Sequence, residues 1–136
     1  MQIRRNTLTT IQVILSIGGG FLGQFFGGFD MLMMTLVSFV IMDYLTGVMQ
    51  AIVHHKLCSK VGFKGIFKKI LIFFIVGIAV SLDGTFGTTN LRYIAIVFYI
   101  VNEGISIIEN AIDLGLPIPD KIKAVLDKLN EENDGK

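Results

Sequence analysis

From Thr7 to Phe29 the chain carries no charged residue, and three more long apolar runs follow. A helix rises about 1.5 Å per residue, so a run of this length can cross a hydrocarbon layer roughly 30 Å thick. A soluble fold is excluded on area. With 52% of its residues hydrophobic and 17% charged, a chain of 136 residues has too small an interior to hide that much apolar surface from water. The expected fold is all-α, an integral membrane helical protein. It has about four transmembrane helices, or three plus a marginal N-terminal one, and a C-terminal amphipathic cytoplasmic helix. Residues 1–116 form the transmembrane domain, with spans at about 7–29, 31–53, 66–83 and 91–116. Residues 117–136 form the cytoplasmic helix and a charged tail.

The first span is the weakest hydrophobe. Gly18, Gly19, Gly20, Gly23, Gly27 and Gly28, with Gln12, Gln24 and three threonines, lower its gain on insertion. Arg4 and Arg5 ahead of it resemble a signal-peptide start, but the run is long and lacks a clear small-residue cleavage site, so it reads as an uncleaved span. Gly19, Gly23 and Gly27 form a GxxxGxxxG run that lets helix backbones approach closely, with chance glycine richness as the competing reading. Gly47 is a further packing candidate in the second span. Only Asp30 and neighbouring glycines separate the first two spans, which implies a tight helical hairpin.

After Val53 comes a basic interfacial segment in which Lys56, Lys60, Lys64, Lys68 and Lys69 stand among apolar residues. They share a drifting helical face suited to anionic headgroups, or serve topology alone. Lys68 and Lys69 are placed to snorkel towards the interface. Pro117 and Pro119 end the fourth span. Asp120 then starts a helix whose Ile122, Val125, Leu126 and Leu129 fall on one narrow stripe. If both termini lie inside, eleven of the twelve lysines and arginines are cytoplasmic and Arg92 alone is outside. The central loop and tail are therefore expected in the cytoplasm.

Asp43 is the only charge of the second span and falls near its middle. A carboxylate at that depth needs a protein or water partner. It reads either as a pore-lining or assembly-switching group, or as a buried acid that holds two helices together. In the fourth span Tyr99, Asn102, Ser106, Glu109 and Asp113 are spaced by 3, 4, 3 and 4, one helical face, and Glu103 and Asn110 widen it. Such a stripe suits a water-filled lumen or a hydrogen-bonded helix interface. Cys58 is the only cysteine, and His54 and His55 lack the spaced partners of a zinc motif, so they read as interfacial residues. No catalytic layout or phosphate-binding loop stands out. The reading is of a non-enzyme with no cofactor, metal or nucleic-acid partner.

Four ordered stretches resemble the phage lysis and toxin secretion holins, among them the clostridial toxin-release holin. They are DYLTG at Asp43 to Gly47, SKVGFKGIFKK at Ser59 to Lys69, NEGISIIEN at Asn102 to Asn110, and GLPIPDKIK at Gly115 to Lys123. The resemblance implies a homo-oligomeric pore or lesion former in the bacterial cytoplasmic membrane, both termini inside, that releases a cell-wall hydrolase or toxin and times host lysis. The competing classes are a small ion or proton channel, a transporter subunit, and a non-conducting regulatory partner of a holin. Met31 invites a further expectation, because initiation there would delete the first span.

Overall fold

The computed structural model describes residues 2–56, 58–124 and 128, with backbone alone for residues 2–5 and 61. It is all-helical among these residues. The elements are α1 (Gln2–Phe25), α2 (Met31–Val53), α3 (Ser59–Phe86) and α4 (Leu91–Asp113), each long and apolar enough to cross a membrane. Residues 120–124 are also helical, whereas Val125, Leu126 and Leu129 of the expected C-terminal stripe lie outside the described residues.

The helix boundaries differ from the expected ones for local reasons. α1 ends at Phe25, not near Phe29, because Gly27 takes a left-handed φ of 69° and lets Gly28 N–H reach the Gly23 carbonyl at 2.7 Å. Gly27 therefore lies in a turn, and the expected GxxxGxxxG helix face is cut to Gly19 and Gly23. α3 starts at Ser59 and runs on to Phe86, so most of the basic segment belongs to the third helix instead of preceding it. α4 stops at Asp113. Gly115, at φ 86°, directs Leu116 N–H to the Ala111 carbonyl at 2.9 Å before Pro117.

Two acids start helices. Asp30 caps α2 by accepting from Met33 N–H at 2.9 Å. Asn90 gives α4 no side-chain cap. Asp83, late in α3, supplies one instead by accepting from Leu91 N–H at 3.1 Å and Arg92 N–H at 2.9 Å.

α2 and α4 run parallel and share the most extensive contact, and α3 runs antiparallel against α4. The apolar core is Met33, Leu36 and Val40 of α2, Ile72 and Val76 of α3, and Ile96 of α4. In α2 these positions continue to Asp43, and in α3 they continue backwards to Lys69, by steps of three or four residues. The outward faces of all four helices stay apolar and exposed, as lipid contact requires. α1 stands apart. No residue of its span is buried, and its hydropathy is the lowest of the four. It meets α3 at its last turn, where the Phe25 ring covers Gly77 so closely that a Cβ there would overlap the ring. Phe26 then stacks edge-on against Phe73 with centroids 5.9 Å apart.

Candidate functional site

The seam of the three packed helices carries one charged residue from each. Lys69 Nζ lies 2.5 Å from Asp43 Oδ2 and 2.5 Å from Glu103 Oε2, and all three side chains are at most 15% exposed. Asn110 completes the cluster. Its amide donates to Asp43 Oδ1 at 3.2 Å and to Thr46 Oγ1 at 3.0 Å. One turn further on, Gln50 donates to Asp113 at 2.7 Å. Helix spacing produces this ladder, since Asp43, Thr46 and Gln50 share a face of α2 while Glu103 and Asn110 are seven residues apart on α4.

Physically, the triad answers the demand set by Asp43. A charge within the hydrocarbon layer is expensive unless paired, and removing one member of a buried pair strands its partner. Lys69 sits about 10 Å into the third span, counted at 1.5 Å per residue from Gly62. The expectation that it snorkels to the surface with Lys68 is therefore corrected. Lys69 turns inward because it is in phase with Ile72 and Val76, while Lys56, Lys60, Lys64 and Lys68 stay exposed.

The polar stripe of α4 is divided by the packing. Tyr99 packs against the core, Asn110 and Asp113 bond to α2, and Ser106 lines a cleft of about 300 Å³ with Asp43, Tyr44, Gly47, Gln50 and Lys69. Glu103, which had only widened the stripe, is its most buried acid. Glu109 is half-buried, and Asn102 faces outward and exposed. Gly47 faces α4, with Asn110 Nδ2 at an ordinary contact distance of 3.7 Å from where its Cβ would be. Among the described residues, a Cβ added at Gly19 or Gly23 would meet nothing within 4 Å.

A second cluster closes the opposite end. Arg92 Nε donates to the Phe26 carbonyl at 2.7 Å and one terminal nitrogen to the Gly28 carbonyl at 3.0 Å. The guanidinium also grips Asp30 at 2.8 and 3.1 Å. The Arg92 hydrogen bonds beside Asp30 hold that carboxyl below the usual carboxylate range. Sequence reasoning missed this clamp: Arg92 counted only towards topology, and Asp30 only as a separator. Opposite charges flanking two loops were the available signal.

Fold and site together define a multi-pass membrane protein whose three packed spans close around an internal charge cluster. The bacteriophage holin family model matches residues 20–131, and the chain belongs to that family. It is 46% identical over 109 residues to an uncharacterized 14.9 kDa protein in the nagH 3′ region of Clostridium perfringens, covering 79% of this chain and 83% of that one. An uncharacterized protein of Listeria innocua is 40% identical over 121 residues, 85% of this chain and 86% of its own length. An uncharacterized Bacillus subtilis protein, YqxH, is 37% identical over 110 residues, covering 80% and 78%. No solved structure matches the chain. Holin families are generally non-enzymatic.

Proposed function

We propose that this protein is a holin: in the bacterial cytoplasmic membrane, with both termini inside, it assembles with further copies and opens a lesion that releases a cell-wall hydrolase or toxin. The single observation that carries the reading, beside family membership, is the Lys69–Asp43–Glu103 triad. It stores three ionisable groups inside a bundle whose outer surface is lipid-soluble. In the resting chain they satisfy one another. When helices separate and copies associate, the same groups turn towards water and line it, so one set of residues serves both states. The exposed lysines Lys56, Lys60, Lys64 and Lys68 meet anionic headgroups on the cytoplasmic side. No catalytic step is part of this reading.

The cleft beside the triad favours a second reading, a narrow ion or proton channel. Size separates the two. Expression in bacteria with a co-expressed cytoplasmic hydrolase should depolarise the membrane and lyse the cells; depolarisation with the hydrolase retained would favour the channel, and neither event would overturn both. A product started at Met31 would keep α2–α4 but lose the Asp30 cap. It should appear as a smaller band that Met31→Leu abolishes.

A further inference from the structure

The cleft of about 300 Å³ is walled by α2 and α3, with Ser106 and Asn110 contributed by α4, and it runs from the level of Asp43 to Ala51 and Gly62 at the lysine end of the bundle. Its polar groups are unevenly satisfied. Asp43, the one acid that lines it, has both oxygens engaged, Oδ2 by Lys69 and Oδ1 by Asn110. The Asn110 amide is spent on Asp43 and Thr46, and that of Gln50 on Asp113. Lys68, Tyr44 and Ser106 line the same cleft with side-chain donors that meet no acceptor among the described residues. Ser106 stands out among the hydroxyls. Thr35, Ser38, Ser81 and Thr85 each turn theirs back onto the carbonyl four residues earlier, whereas Ser106 does not.

The complement of an ammonium and two hydroxyls is a group that only accepts, and anionic phosphate oxygens do so most strongly. Lys68 offsets the surplus carboxylate of the triad in formal charge, and Lys64, exposed one turn nearer the lysine end, keeps the mouth positive. The walls decide what carries the phosphate. Gly47, Val48, Ala51 and Gly65 are apolar, and Tyr44 lies against Gly62 and Gly65, its hydroxyl 3.8 Å from where a Cβ on Gly62 would be. Across Tyr44 and Gly62 lies a second hollow of about 440 Å³, lined by Phe63 and Ile66. A free anion gains nothing from such walls. A phospholipid brings its phosphate together with apolar chains that they suit.

We propose that the cleft holds the phosphate of one anionic phospholipid from the leaflet at the lysine end, bound by Lys68, Tyr44 and Ser106. The proposal rests on the reading that the exposed lysines meet anionic headgroups, and narrows it from a charged surface to a single site. There Lys68 differs from Lys56, Lys60 and Lys64, which do not line the cleft. The two hydroxyls position the phosphate, and Lys68 sets the preference for a charged lipid.

The test is native mass spectrometry of the full chain released from vesicles of phosphatidylcholine with a minority of phosphatidylglycerol. Wild type should keep one phosphatidylglycerol in preference to phosphatidylcholine. Lys68→Gln should weaken that retention roughly tenfold, the loss of one charge-assisted contact. Lys68→Arg should keep it, and Lys60→Gln should leave it unchanged. Tyr44→Phe preserves the ring against Gly62 and Gly65, so it and Ser106→Ala should each weaken retention a few-fold, roughly one neutral hydrogen bond, while circular dichroism stays helical. Equal retention of the two lipids overturns the proposal, as does equal loss in Lys60→Gln and Lys68→Gln, the mark of a diffuse charged surface. Displacement of the lipid by inorganic phosphate would assign the cleft to a free anion and overturn the lipid as its occupant. Lysis is not read in this test, so its failure leaves the holin reading standing.

Discussion

Lys69 and Arg92 are each a largely buried basic residue around which neighbouring segments gather, yet the acids they meet lie in different surroundings. Lys69 and its acids are at most 15% exposed, whereas Asp30, the acid that Arg92 grips, is 52% exposed. Lysine places a compact point charge between two helices, and arginine spreads a planar fork over two carbonyls and a carboxylate of one turn. At the rim, water can replace whatever the arginine lets go. Within the span nothing can, so the same kind of ion pair becomes an obligation shared by α2, α3 and α4. The difference identifies the triad as the lock of the bundle and the clamp as a fastener of its loops.

Breaking the comparison should start with Lys69→Met, which strands two acids. It is expected to cost on the order of 3–5 kcal/mol in reversible unfolding of the bicelle-embedded protein. Arg92→Ala should cost less, about 1–2 kcal/mol, since its carbonyl partners at the rim can turn to water. Its effect should also be local, with faster proteolysis near Gly28 and helix content retained. Asn110→Ala removes one neutral bridge to Asp43 and should cost about 1 kcal/mol. The smallest effect is acid sensitivity at the clamp. The Asp30 carboxyl titrates lower when folded than its ordinary value of 3.8, so its contribution is complete above that value and disappears as pH falls through the folded one. Wild type should loosen at the Arg92 end over that acid window, and Arg92→Ala should show a smaller step, because the Met33 N–H still favours the ionised Asp30 carboxyl.

Much of this was legible in the sequence, and what was not has a physical cause. Long apolar runs announced four spans, and Asp43 announced that something must meet it. Asn110 and Glu103 were recognised as polar members of α4. Lys69 was misread because a lysine near the end of an apolar run normally snorkels, and α3 is apolar all round, so its buried face gives no periodic signal. The signal lay in the small residues: Gly62, Gly65 and Lys69 continue the face of Ile72 and Val76. The ends of α1 and α4 were misplaced because apolarity continues past Gly27 and Gly115, where backbone conformation, not hydropathy, stops the helix. α1 was readable from its glycines as the weakest hydrophobe, and its span has the lowest hydropathy of the four.

The most direct test of the lock is a mutant cycle between Lys69→Met and the pair Asp43→Asn with Glu103→Gln, read as unfolding free energy in bicelles. If Lys69 is there to satisfy those acids, neutralising them should restore most of the stability that Lys69→Met removes, giving a large coupling energy. Losses that simply add would contradict the account and make the triad three separate residues that happen to meet.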